Sequence, residues 1–122
     1  MRRNFLRSLT RRRDFEKVFR EGVRSSSKYL VVYSRLNGLE FNRIGLAIGK
    51  KVGIAVTRNR IRRLLKEAVR KVLADIPMHF DYVVIATRHT AEGTFDDFVQ
   101  ELKQFIKRLH NEKIADSAHQ VV

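Results

Sequence analysis

The segment Lys50-Lys51-Val52-Gly53-Ile54-Ala55-Val56-Thr57-Arg58-Asn59-Arg60-Ile61-Arg62-Arg63-Leu64-Leu65-Lys66-Glu67-Ala68-Val69-Arg70-Lys71-Val72-Leu73 joins a helical apolar stripe to a dense run of positive charge. From about Thr57 the spacing predicts a helix, because Ile61, Leu64, Leu65, Ala68 and Val72 recur at i, i+3, i+4, i+7 and i+11. At roughly 100° per residue, Arg62, Lys66, Asn59, Arg70, Arg63, Arg60 and Lys71 fan across the remaining face, with only Glu67 among them. A charge run is ordinarily a solvated face with scattered countercharges. Here residues 50–71 hold nine Lys/Arg against one acidic residue, so the repulsion is largely uncompensated within the segment. Such a face favours a nucleic acid partner, with a membrane surface or an acidic protein as the alternatives. Five of the seven basic residues from Arg58 to Lys71 are arginine, whose planar fork grips phosphate oxygens bidentately. Arg58 and Arg60 stand near the helix start, where free N–H groups and the positive dipole end can receive a phosphate oxygen.

Toward the N-terminus, Arg11 to Glu21 reads as a helix, with Thr10 as its N-cap, Phe15, Val18 and Phe19 on one face, and Gly22 as its stop. On its own that stripe is explained by core packing. Val23 to Lys28 suits a short edge strand, and Tyr29 to Leu36 is a β-rich run with Tyr29, Val31 and Tyr33 on one face and Leu30 and Val32 on the other. After the turn signal Asn37-Gly38, Ile44 to Gly49 reads as a return strand forming an antiparallel hairpin with it. Toward the C-terminus, Pro77 closes the basic helix and Tyr82 to Thr87 is a continuous apolar run of strand length. Thr94 caps a last helix over about Phe95 to Leu109, with Asp96 and Asp97 at its positive end and Phe98, Leu102, Phe105 and Leu109 facing the core. Residues 1–9 and 111–122 are expected to be flexible. The result is one α+β domain over residues 1–122, in two layers, with the order α-β-β-β-α-β-α.

Composition agrees with a basic, folded domain. The net charge is +13 with 43% hydrophobic residues, enough apolar content for a core. Residues 1–71 carry 21 Lys/Arg and 5 Asp/Glu, and residues 72–122 carry 5 and 8, so the binding surface belongs to the first two thirds. With no cysteine there is neither a disulfide nor a thiolate zinc site, and His79, His89, His110 and His119 lack ligand spacing, so no metal is expected on the protein. The basic N-terminal residues precede no apolar signal core and no run spans a bilayer; a soluble, cytoplasmic protein without a membrane partner is the expectation.

The run Gly53-x-Ala55-Val56-x-Arg58-Asn59-Arg60-x-Arg62-Arg63, followed by Leu64, Leu65 and Lys66, resembles the signature of the bacterial ribonuclease P protein component family. Asp14-Phe15-x-x-Val18-Phe19-x-x-Gly22, the strand ending at Tyr33, and the doubled Lys50-Lys51 extend the resemblance over about residues 10–110. The resemblance implies a ribosomal-protein-like sandwich with a left-handed βαβ crossover between the strands near Ile44 and Val84, against the usual right-handed rule. It further implies an RNA-binding surface of Lys50, Lys51, Arg58, Asn59, Arg60, Arg62, Arg63, Lys66 and Arg70 directed at a catalytic RNA subunit, one protein per RNA. A separate cleft with Phe15, Phe19 and Tyr33, flanked by Arg11 and Arg12, would receive the 5′ leader of precursor tRNA, since stacking on aromatics tolerates any base. Hydrolysis would belong to the RNA with Mg2+, the protein holding no cofactor tightly. Two departures touch individual leader contacts: Lys66 stands where relatives can carry arginine, and Ala47 where a hydroxyl residue can occur.

The residues themselves argue against independent catalysis. Asp96-Asp97 is explained by helix capping, while Asp14, Glu16 and Glu21 are interleaved with Arg and Lys at helical spacing, so no carboxylate cluster for a two-metal nuclease emerges. The alternative to the ribonuclease P reading is a ribosomal or ribosome-assembly protein with the same basic face and no need of an aromatic cleft; an autonomous nuclease ranks third.

Overall fold

The computed structural model describes residues 6–73 and 79–121. The elements are β1 (Leu6–Ser8), α1 (Arg12–Glu21), β2 (Val23–Ser26), β3 (Leu30–Leu36), β4 (Asn42–Ala47), α2 (Ala55–Leu73), β5 (Phe80–Ala86) and α3 (Phe95–Val121), with short 3₁₀ turns at Lys50–Val52 and Thr90–Glu92. The strands form one sheet in the order β1-β4-β5-β3-β2. Its two faces are served differently. Leu30, Val32, Phe80, Tyr82, Val84 and Ala86 meet Ile61, Leu65, Ala68, Val69 and Leu73 of α2 and Phe98, Leu102, Phe105 and Leu109 of α3 in the main core. On the other face α1 sets Val18 against Val83 and Leu9 in a smaller cluster. Two helices on one side and a single short one on the other leave part of that second face uncovered.

The sheet departs from the expected hairpin. The runs Tyr29–Leu36 and Ile44–Gly49 are not neighbours; β5 lies between β3 and β4, antiparallel to the first and parallel to the second. The physical reason is burial: six of the seven residues of β5 are buried, a pattern that only a central strand covered on both faces satisfies. The link from Leu36 to Asn42 must then cross two inter-strand spacings, roughly 10 Å, which a tight two-residue turn cannot do. Asn37 organises that link: its Oδ1 accepts the Leu39 N–H at 2.8 Å, and its Nδ2 donates to the Phe41 carbonyl at 3.1 Å and to Asp81 Oδ1 at 3.0 Å.

The hand of the β4-α2-β5 crossover follows from one residue. Ile44 points its side chain into the α2–α3 core, and its carbonyl accepts the Leu9 N–H at 2.8 Å, on the β1 side. Viewed from the helices with β4 running upward, an L-residue facing the viewer carries its carbonyl on the right. β1 therefore lies right of β4 and β5 lies left, so the connection through α2 in front is left-handed, the exceptional sense.

Boundaries moved at several points. Residues 1–9 do not all behave as a loose leader: Leu6–Ser8 pair in parallel with β4, and Leu9 is buried. Thr10 does not cap α1; Arg11 occupies the cap position without a side-chain bond. Gly22 ends α1 in extended backbone, and it is glycine because a Cβ there would lie 2.4 Å from the Val18 carbonyl oxygen and 2.8 Å from that of Ser34. Thr94 does cap α3, its Oγ1 accepting the Asp97 N–H at 3.1 Å while Asp97 Oδ2 accepts the Thr94 N–H at 2.8 Å. The helix does not end at Leu109 but runs on to Val121, over a stretch with neither glycine nor proline to stop it. Pro77, expected to close α2, lies outside the described residues.

Candidate nucleic-acid interface

α2 is built to present charge outward. Its inner stripe is Ile61, Leu65, Ala68, Val69 and Leu73, with Leu64 and Val72 only partly buried at its margins. That orientation leaves Asn59, Arg60, Arg63, Lys66 and Arg70 exposed on the far side, with Arg62 half-buried at its edge and Lys50 and Lys51 exposed on the turn before the helix. Three members of the predicted set are partly engaged already: Arg70 pairs with Glu67, and Arg62 Nη1 donates to Asn59 Oδ1 at 3.3 Å. Arg58 differs from the rest. It is half-buried against the body, with its Nε enclosed and without a hydrogen-bond partner among the described residues.

The aromatic residues of α1 do not simply vanish into a core. The Phe19 ring stands edge-on to Tyr33 at 5.0 Å between centroids and tilted to Phe15 at 6.5 Å. Phe19 remains 41% exposed, while Phe15 and Tyr33 are half-buried. Beside them the sheet continues as a flat row in register, Ala47 beside Ile85 beside Val31, all half-buried. Arg24 faces Tyr33 across the β2–β3 ladder and contributes a cation to the same region. Sequence reasoning missed Arg24, Val31 and Ile85 as members of this surface. Val31 was accessible from the period-two pattern around Tyr33, whereas Ile85 belongs only once β5 is known to lie beside β3. Arg11 caps α1 with its backbone, and Arg12 forms an exposed i,i+4 pair with Glu16 at 3.4 Å, so both stand exposed at the start of α1.

A chain of charges holds α1 in place over the sheet. Glu21 Oε1 accepts Arg35 Nε at 2.9 Å, Arg35 approaches the buried Asp81 at 4.0 Å, and Arg43 binds Asp81 and reaches Asp14 at 3.5 Å. The Glu21 carboxyl is held below the usual carboxylate range, chiefly by the Arg35 hydrogen bond. Arg43 is held the more firmly protonated, first by its hydrogen bonds to Asp81. The network thus spans β3, β5, β4 and both ends of α1.

The two predicted surfaces are joined. A groove of about 580 Å3 runs past β1 at the sheet edge, and its lining includes Phe15 and Gly45 as well as Arg62, Lys66 and Arg70. Gly45 permits this approach: a Cβ at that position would lie 2.4 Å from the tip of the Phe15 ring. The sequence reading treated the basic helix and the aromatic cleft as separate, because nothing in it placed β1 and β4 at the sheet edge between them. Among the described residues there is no group of three or more His, Asp or Glu side chains able to hold a metal ion, and no helix long and apolar enough to cross a membrane.

The ribonuclease P family profile matches residues 4–110. The ribonuclease P protein component of Clostridioides difficile is 40% identical over 86% of this chain and 93% of its own length. The ribonuclease P protein of Thermotoga maritima shares the fold with a TM-score of 0.74 at 34% identity, covering 83% of this chain and 96% of that one. A Staphylococcus aureus ribonuclease P protein mutant with defective mRNA degradation activity superimposes with a TM-score of 0.76 at 26% identity, over 84% of this chain and 87% of that one.

Proposed function

The chain belongs to the ribonuclease P protein family, and from that premise we propose that it is the RNA-binding subunit of the endoribonuclease that removes the 5′ leader from precursor tRNA. One observation supports the reading beyond family membership: a single groove at the sheet edge is lined both by Phe15 and by Arg62, Lys66 and Arg70. Phosphates of the catalytic RNA subunit are met by Lys50, Lys51, Asn59, Arg60, Arg62, Arg63, Lys66 and Arg70, and bases of the leader stack on Phe19 and Tyr33 beside the Val31–Ile85 floor. Arg58, half-buried with its Nε enclosed, contributes less to that phosphate surface than the exposed cations. Neutralising phosphates of both RNAs at one joined surface lowers the repulsion that opposes their association. Hydrolysis and its Mg2+ belong to the RNA subunit, one protein serving each RNA. A ribosomal role would use the same α2 face and leaves the aromatic surface unexplained.

Reconstitution tests this directly. The protein with a bacterial ribonuclease P RNA and Mg2+ is expected to cut precursor tRNA at the mature 5′ end at salt where the RNA alone is slow. Because a related Staphylococcus aureus protein is linked to mRNA degradation, the RNA-free protein is assayed beside it on precursor tRNA and on an unstructured mRNA. Cleavage of precursor tRNA by the protein alone would overturn the division of labour.

A further inference from the structure

The most basic part of the surface also holds the two most exposed large apolar side chains among the described residues, Ile54 at 73% and Val56 at 75%. Neither serves the fold. Val52, two residues earlier, is buried in the main core, and the chain then turns so that Ile54 and Val56 project outward. The Ile54 carbonyl accepts the Arg58 N–H at 2.9 Å, placing Ile54 at the cap of α2, a position where isoleucine is among the poorer residues. Val56 stands one and two turns before Arg60 and Arg63 on the outer face of the helix. Between Glu40 and Glu67 there is no acidic residue, so the segment that carries the pair contributes only cations beside it.

We infer that Ile54 and Val56 form an apolar contact with the RNA subunit, resting on the sugar and base surface of nucleotides whose phosphates the neighbouring cations hold. This rests on the function proposed above and adds a contact of a different physical kind. The occupant must carry dense negative charge to sit among Lys50, Lys51, Arg60 and Arg63, and must also present apolar surface within a few ångströms of that charge. Nucleic acid meets both conditions, since ribose carbons and base faces lie beside each phosphate. Contact of this kind adds affinity without releasing counterions.

That difference supplies the test. Ile54→Ser combined with Val56→Thr removes the apolar surface while improving the cap and keeping the branched shape at residue 56, so the melting temperature should hold or rise. Dissociation constants for the RNA subunit are measured across a salt series for wild type, this double variant and Arg60→Ala/Arg63→Ala. The apolar variant is expected to bind roughly five- to thirtyfold more weakly at every salt, with an unchanged slope of log K against log salt. The arginine variant should flatten the slope. If the arginine variant weakens and flattens binding while the apolar variant binds like wild type, the contact is overturned and the RNA-binding reading stands. If neither variant alters binding, both fall. Loss of binding to phosphatidylglycerol–phosphatidylcholine vesicles with RNA affinity intact would assign the pair to a lipid surface and overturn the contact.

Discussion

Arg43 on β4 and Asp81 on β5 form a two-pronged ion pair across neighbouring parallel strands, Nε to Oδ1 at 2.8 Å and Nη2 to Oδ2 at 2.7 Å. Asp81 is 1% exposed, and Asn37 adds a third bond to Oδ1. Removing the carboxylate would leave Arg43 with only its longer contact to Asp14 and free the loop that crosses β5. Asp81→Ala is therefore expected to cost about 3–5 kcal/mol of stability, the range for breaking one side of a buried pair. Urea denaturation checks this, and a change below about 1 kcal/mol would show that solvent reaches the network.

Glu21 anchors the other end of α1. Its folded carboxyl sits below the ordinary value of 4.5 because Arg35 donates to it. A lowered folded pKa contributes stability that is complete above the unfolded value and disappears as pH falls through the folded one. The stability of wild type should thus fall with acid below pH 4.5 more steeply than that of Glu21→Gln, and superimposable curves would remove Glu21 from the anchor.

Some of this architecture was legible in the chain and some was not. The helices could be read because Ile61, Leu65 and Ala68, and Phe98, Leu102 and Phe105, declare a 3.6-residue period that burial then obeys. Strand neighbours could not, because a continuous apolar run such as Tyr82–Ala86 records that it is buried and not between which partners. That ambiguity produced the expected hairpin, and with it the missed joining of the two surfaces. β1 escaped notice because three residues, two of them polar, carry no period at all. The left-handed crossover rested on family resemblance alone, and it becomes a structural conclusion only when the Ile44 carbonyl is seen to point at β1.

Two glycines predict opposite phenotypes. A Cβ at Gly22 meets the carbonyl oxygens of Val18 and Ser34, both backbone atoms, whereas one at Gly45 meets the end of a single Phe15 ring. Gly22→Ala should cost about 1–3 kcal/mol as the helix end is forced from the sheet. Gly45→Ala should melt closer to wild type while displacing Phe15, and its loss should appear in precursor tRNA binding. Thermal melts beside substrate dissociation constants separate the two; equal melts would discount the close approach at residue 22.

Replacing Arg60, Arg62 and Arg63 together by Ala should weaken binding to the RNA subunit and flatten its salt dependence, each lost phosphate contact removing up to about 0.9 from the slope for a duplex-like polyanion. All three lie off the buried Ile61, Leu65 and Ala68 stripe, so the fold should persist by circular dichroism. An unchanged slope with unchanged affinity would mean that this face is only solvated.

Tyr33 separates a ribonuclease P subunit from a ribosomal protein. Its ring lies perpendicular to that of Phe19, 5.0 Å between centroids, on the face of β3 opposite the main core. If that face takes the leader, Tyr33→Ala should lower holoenzyme affinity for a long-leader precursor by roughly 1–3 kcal/mol per lost stacking contact. A precursor with a one-nucleotide leader should bind as before. Core packing predicts otherwise: truncating a large buried aromatic costs about 3–5 kcal/mol of stability and harms both substrates alike. Tyr33 is half-buried and belongs to the smaller cluster, so its removal disturbs Phe19 and the Val83 neighbourhood without opening the α2–α3 core. Dissociation constants for the two precursors, with wild type and variant and a melt of each protein, decide the matter. Equal weakening on both substrates, or a melt shift large enough to account for the loss, would return Tyr33 and Phe19 to a packing role and leave the α2 face as the sole RNA contact.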